Sequence, residues 1–381
     1  MPVIILTTVL TLSALYAPQP LLPVIMQQFG VSRQAAAFLT TVTFVPLSVA
    51  PLFYGYLLES LSPRRMLRVA VLLLAASEIL FFLGRSFSVL VAVRLLQGLL
   101  VPAILTALMT YVSAVTARAE VPRAMAVYIA STILGGFLGR AFSGLIATLW
   151  GWRYSFLVLA ASLLVSFVLL GTLRAETRLS LVRPRPRLIL EVLRQRVYLR
   201  VYLVVFCLFL VFAAVMNFLP FRLTELSAQA DELRIGLMYS GYVMGIVTSL
   251  SAVRIGRWVG GECRAMLVGL GVYILALIGL GAGRPAVLFA VMFLFCAAMF
   301  LVHATASGFV NALAGPNKGM VNGLYVAFYY AGGAVGSFLP GIAYRQWGWW
   351  AFLAVLAAVA AAGLALAAGC RRSEAVVPKI S

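Results

Sequence analysis

With 381 residues, 64% of them apolar and only 10% charged, the chain is far from a soluble globular domain, in which about a quarter of the residues are Asp, Glu, Lys or Arg. Twelve bilayer-spanning helices of about 20 residues each would use most of this length, leaving short loops and no polar domain. The net charge of +19 therefore does not indicate a nucleic-acid partner, which needs a basic patch on a folded polar surface, but the Lys and Arg that short cytoplasmic loops collect.

In chain order, the N-terminal stretch MPVIILTTVLTLSALYAPQPLLPVI is apolar at once, with no basic n-region and no small-residue cleavage site. It reads as a first helix and not as a removed signal. Apolar runs broken by charges, Gly and Pro predict helices over 3–25, 35–58, 66–84, 87–112, 123–148 and 153–173. A polar stretch follows, and then six more over 201–222, 236–258, 265–283, 286–308, 318–343 and 349–369. The expected organisation is an N-terminal six-helix bundle (1–173), a basic linker (174–200), a C-terminal six-helix bundle (201–370) and a short tail (371–381). The linker, with eight arginines and Pro184 and Pro186, suits the anionic lipid headgroups of the inner membrane surface.

If the N-terminus is cytoplasmic, the cytoplasmic side holds Arg64, Arg65, Arg68, Arg118, Arg123, the linker arginines, Arg254, Arg257, Arg264, Lys318, Arg371, Arg372 and Lys379. The opposite side holds only Arg33, Arg85, Arg153, Arg222, Arg234, Arg284 and Arg345. The bias places both termini in the cytoplasm. Cys207, Cys263, Cys296 and Cys370 have no metal-ligand spacing and read as packing residues; no metal or cofactor is expected.

Sliding the chain against itself by 197 residues pairs Tyr128 with Tyr325 and Ala130 with Ala327. The same offset sets Gly135, Gly136, Gly139 and Gly144 on Gly332, Gly333, Gly336 and Gly341, and Trp150-Gly151-Trp152 on Trp347-Gly348-Trp349. These fall on the fifth and eleventh helices. A parallel repeat of two six-helix halves about an axis along the membrane normal is an all-α transporter architecture.

On YAPQPLLPVI (Tyr16–Ile25), RLLQG (Arg94–Gly98), GGFLGRAFSG (Gly135–Gly144), NFLPFRL (Asn217–Leu223) and YYAGGAVG (Tyr329–Gly336), the chain resembles the major facilitator superfamily over nearly its full length. Within it the resemblance is to the small bacterial drug-efflux-like branch of the YnfM (acriflavine-sensitivity) type. The superfamily's signature after its second helix survives in part: Gly55, the acid Glu59 and the basic Arg64 and Arg65 are present, while Ser60 and Ser62 replace the usual Arg and Gly. The resemblance implies a charge latch at the cytoplasmic gate, carried here by Glu59; a solvated helix-end acid is the alternative.

An ionisable group near the bilayer centre is costly and so a functional candidate. Arg94, Arg140, Glu78 and His303 are the candidates, with Gln19, Gln97 and Asn217 as polar company. The family pattern, in which helices one, four, seven and ten line the cavity and two, five, eight and eleven flank it, favours Arg94, Arg140, Asn217 and His303 over Glu78. Arg94 and Gln97 share a helix face at i and i+3, and the resemblance associates such an Arg with proton coupling; a clamp between helices is the alternative. Arg140 lies among Gly136, Gly139 and Gly144, where a guanidinium can reach inward to a substrate. Glu78 either pairs with Arg94 or reaches the interface, and His303 either carries a proton or bonds a neighbouring helix. Tyr325 and Tyr329 share a face and Tyr16 adds to an aromatic wall, for stacking on substrate or for packing. Pro18, Pro20 and Pro23, with Gly136, Gly139, Gly144, Gly333 and Gly336, are expected gating points.

Many drug–proton antiporters place an acid in helix one; here that helix offers only Tyr16 and Gln19. The cavity then reads as net positive, suited to an anionic or carboxylate-bearing substrate. The expectation is a monomeric proton-coupled exporter (an efflux antiporter) of a small organic molecule, with a proton-independent facilitator or anion exchanger as the alternative. An intramembrane enzyme lacks its nucleophile and base, and a receptor lacks its extramembrane domain.

Overall fold

A computed structural model describes residues 1–50, 53–54, 62–116, 120–173, 186–314 and 318–374. Among these, ten helices are long and apolar enough to cross a bilayer. Two others, Arg33–Val49 and Lys318–Gly336, complete the twelve-helix arrangement.

In chain order the helices are α1 (Pro2–Tyr16), α2 (Leu22–Phe29), α3 (Arg33–Val49), α4 (Pro63–Leu83), α5 (Phe87–Val115), α6 (Val121–Trp150), α7 (Trp152–Leu170), α8 (Pro186–Arg194), α9 (Arg196–Leu226), α10 (Glu232–Leu237), α11 (Tyr242–Val259), α12 (Glu262–Gly279), α13 (Pro285–Leu313), α14 (Lys318–Gly336) and α15 (Pro340–Glu374). The predicted first helix is broken: α1 and α2 are separated by a tight turn over Gln19–Leu21. Pro18, Pro20 and Pro23 lack the N–H that would continue the helical ladder. Helix starts follow the capping chemistry of the sequence. Ser32, Ser62 and Ser86 each accept a hydrogen bond from the backbone N–H three residues on, satisfying one of the donors that every helix start leaves open.

The chain divides into two compact units: Met1–Arg183 with Leu223–Ser240, and Pro184–Arg222 with Gly241–Ser381. Residues 223–240 thus pack with the first unit although the chain on both sides of them belongs to the second. There α10 lies along α6, the Leu233 N–H donates to Thr148 Oγ1 (3.1 Å), and Glu225 pairs with Arg33 (2.6 Å).

The repeat seen in the sequence is also a repeat of contacts. A side chain at Gly135 or Gly139 would strike the α1 backbone at Val9 or Ser13; one at Gly332 or Gly336 would strike the α9 backbone at Phe206 or Leu210. Each contacted residue lies 197 positions from its counterpart. The two Trp-Gly-Trp turns also match, with φ of +99° at Gly151 and +81° at Gly348, a region in which only glycine is unstrained. The repeats differ at Ser143, which lies within the continuous α6, whereas its partner Pro340 cannot donate to the ladder, and the helix breaks between Gly336 and Pro340.

Candidate functional site

Arg94 and Arg140, each 1% exposed, are among the largest fully buried side chains of the described residues. The sequence left their partners open, and the structure supplies them. Pro18 has no N–H, so the Ala14 carbonyl has lost its helical donor. Arg94 Nη1 of α5 donates to that carbonyl (3.2 Å), Nη2 to the Leu15 carbonyl (2.7 Å) and Nε to the Leu39 carbonyl of α3 (3.2 Å). Nη1 also donates to Gln97 Oε1 (2.7 Å). One guanidinium therefore closes the break in the first span and ties three helices together.

Glu78 of α4 is wholly buried, and neither of its carboxylate oxygens makes a hydrogen bond of ordinary geometry; the same holds for Gln97 Nε2. The groups that act on the carboxylate are the Arg94 guanidinium and the Gln97 amide. Glu78 is therefore buried in the field of Arg94 without a direct ion pair to it.

Arg140 of α6 closes the same break from the other side. Its Nε donates to Gln19 Oε1 (2.7 Å) and its Nη1 to the Gly136 carbonyl. The guanidinium carbon lies 4.1 Å from the Tyr16 ring centroid and 4.9 Å from that of Tyr239, within cation–π range. Ser143 donates to the Ala17 carbonyl (2.8 Å) and Ser13 to the Gly135 carbonyl (3.1 Å). The missing Cβ at Gly139 and Gly144 lets the α1 and α10 backbones come close. Tyr239 and Ser143 were not singled out from the sequence. The signal for Ser143 was the proline cluster, which leaves carbonyls in need of donors.

In the second unit, Asn217 Nδ2 of α9 donates to the Ser337 carbonyl (2.9 Å), and Ser337 is the repeat counterpart of Arg140. Tyr325 Oη of α14 lies 3.0 Å from His303 Nδ1 of α13 and donates to the His303 carbonyl (3.1 Å). The Tyr329 ring is 4.8 Å from the His303 ring and stacks on Phe209 of α9 at 3.8 Å. The structure therefore brings His303, Tyr325 and Tyr329 together, and Phe209 joins them unannounced by any motif. Arg94, Gln97, Glu78, Arg140, Tyr16 and Gln19 gather separately in the first unit.

Of the gate residues, Gly55 and Glu59 lie outside the described residues. Arg64 donates to the Gly171 carbonyl at the end of α7, Arg68 lies over Phe167, and Arg65 is exposed. All four cysteines are free thiols, three of them buried and Cys207 half-buried. Among the described residues no group of three His, Cys, Asp or Glu side chains is placed to hold a metal.

Twelve helices in two halves, with a few fully buried charges at helix breaks, define a multi-pass membrane transporter. The family model of the Major Facilitator Superfamily matches residues 4–261, more than half of the chain, which therefore belongs to that superfamily. The chain is 27% identical over 362 residues to the inner membrane transport protein YnfM of Escherichia coli, covering 92% of this chain and 86% of that protein. It is 25% identical over 347 residues to the MFS-type transporter YybF of Bacillus subtilis, with 89% and 85% covered. Among solved structures, a bacterial homologue of the human lysosomal transporter Spinster, crystallised inward-facing and unoccupied, superposes with a TM-score of 0.70 at 14% identity. That match covers 97% of this chain and 92% of the homologue, and it supports the fold alone.

Proposed function

We propose that the protein is a proton-coupled exporter that moves a small, anionic or carboxylate-bearing organic molecule across the bacterial inner membrane by alternating access. The observation that carries the reading is Glu78, a carboxylate 0% exposed that makes no hydrogen bond of ordinary geometry and lies in the field of the Arg94 guanidinium. An ionised carboxylate so placed is expensive unless the guanidinium offsets it, and a protonated one releases that guanidinium to other partners. Two states of similar energy that differ by one proton are what coupling requires. Because Arg94 also holds the break in the first span, a change at Glu78 reaches the helix that has to bend. Among the described residues of the first unit, the buried charges are two guanidiniums against one carboxylate, which favours an anionic substrate over a lipophilic cation.

Purified protein in proteoliposomes, with an imposed pH gradient and with small carboxylates and cationic dyes as substrates, tests this directly. Glu78→Gln is expected to lose accumulation driven by the gradient while keeping substrate counterflow. Wild-type uptake of an acid that ignores the gradient favours the second reading, a proton-independent facilitator or anion exchanger, whose support is the same excess of positive charge.

The functional halves in this reading are residues 1–173 and 201–370 of a monomer, joined by the lipid-facing basic linker 174–200 and followed by the tail 371–381. Both termini are cytoplasmic, Glu59 latches the cytoplasmic gate with Gly55, Arg64 and Arg65, and the glycines of α6 and α14 are where the helices move past one another. Since Cys370 is buried, orientation is best read at exposed positions. Ala228→Cys should react with an impermeant thiol reagent on intact cells and Arg65→Cys only after permeabilisation; the reverse pattern inverts the topology.

A further inference from the structure

We infer that Gln97 is the relay between Glu78 and the break in the first span: when Glu78 takes a proton, the Gln97 side-chain amide turns and loosens the hold of Arg94 on the Ala14 carbonyl. The inference rests on the reading that Glu78 takes up the coupled proton, and it says how that event reaches α1.

Both oxygens of Glu78 and Nε2 of Gln97 are buried and make no hydrogen bond of ordinary geometry. Gln97 is 1% exposed, and its amide is one of the two groups that act on the carboxylate, Arg94 being the other. A guanidinium has donors only, so the 2.7 Å contact from Arg94 Nη1 decides which arm of the amide is which. Oε1 faces Arg94. Nε2, a donor, is left for an ionised carboxylate, and in that state each arm of the amide meets its complement.

A proton on Glu78 adds an O–H that needs an acceptor, and Nε2 cannot accept. Turning the amide brings Oε1 to that O–H. It also sets Nε2 against Arg94 Nη1, donor against donor. Nη1 is the atom that donates to the Ala14 carbonyl at 3.2 Å, the carbonyl that Pro18 leaves without its helical donor. What Arg94 loses at Gln97 is therefore felt at the turn between α1 and α2. The step is the gain of one proton from the aqueous phase at a carboxylate oxygen, with an exchange of hydrogen bonds and no other bond made or broken.

The surroundings of Glu78 leave this route the direct one. α5 and α7 pack on α4, and α5 contributes Arg94. On α7, Arg153 donates to the Phe82 and Gly84 carbonyls at the end of α4, and the Tyr154 ring lies against Phe82. At the opposite end of α4, Arg64 reaches the Gly171 carbonyl and Arg68 lies over Phe167. Among the described residues, Arg94 is thus the charge that acts on Glu78, and Gln97 is bonded to it.

The test combines difference infrared spectroscopy across a step from alkaline to acid pH with hydrogen exchange, on purified full-length protein whose glutamines are isotope-labelled at the side-chain carbonyl. Wild type is expected to show a protonated-carboxyl band that Glu78→Gln lacks. With it should come a shift in a labelled glutamine band that Gln97→Met, close to glutamine in shape but without a donor, lacks. The amides of Ala17 and Leu21 close the turn onto the Ser13 and Pro18 carbonyls. Their protection, corrected for the intrinsic pH dependence of exchange, should fall by about tenfold on acidification, the size of one hydrogen bond. In Gln97→Met the carboxyl band should persist while that fall is lost. A carboxyl band with no change at glutamine, or an undiminished fall in Gln97→Met, overturns the relay and leaves the exporter reading standing; the first of these is read in wild type and needs no variant to fold. Absence of a Glu78 carboxyl band overturns both. The expected bands and exchange with no gradient-driven transport in proteoliposomes overturn the exporter reading and leave the relay standing.

Discussion

Arg94→Leu is expected to cost about 3 kcal/mol or more of stability, since it leaves several buried polar groups without a partner at about 1–3 kcal/mol each, and to abolish transport. Leucine fills much of the space but donates nothing to the Ala14, Leu15 and Leu39 carbonyls, and it leaves the Glu78 carboxylate buried without a countercharge. Arg94→Lys should fall between, since a single ammonium cannot reach carbonyls on two other helices from one position. Denaturant unfolding of the purified protein reads this out, and a double-mutant cycle separates its parts. If Glu78 matters mainly as the countercharge, Arg94→Leu with Glu78→Leu will be more stable than the sum of the single losses by about 1 kcal/mol or more. Strict additivity would show that the carboxylate and guanidinium are not coupled. Wild-type stability in Arg94→Leu would show that the break in the first span is held without the guanidinium.

The second large effect lies in the glycines that repeat across the halves. Valine at Gly139 or at Gly336 has to displace backbone, at Ser13 in one unit and at Leu210 in the other. Backbone has no rotamer to yield, so each substitution should cost about 3 kcal/mol or more, the upper part of the range for overpacking. Gly308→Val and Gly271→Val are the controls: both are helical positions with nothing within 4 Å of an added Cβ. They should stay within about 1 kcal/mol of wild type. Yield of monodisperse protein and its unfolding midpoint measure the four variants together. Similar losses at Gly139 and Gly336 would mean that the two halves rely on the same contact, and a loss at one alone would mean that only one half still needs it.

The sequence by itself determined the membrane class, the spans and the repeat, because these depend on local hydropathy and on identities at one fixed offset. It also picked out Arg94, Arg140 and Glu78, since a charge in an apolar run is visible without any structure. Even the break in the first span was written in Pro18, Pro20 and Pro23. Only the tertiary structure decided what these groups touch. The partners of Arg94 are mostly backbone carbonyls, which every residue carries and no sequence pattern marks; only Pro18, by removing one N–H, hinted at which carbonyl would be in need. Tyr239 reaches Arg140 because residues 223–240 pack with the first unit. His303 meets Tyr325 and Tyr329 because of the rotation of α13 and α14 about their axes. Hydropathy fixes where a helix crosses the membrane, but in chains this uniformly apolar it does not fix which face turns inward; close packing against the neighbouring helices does.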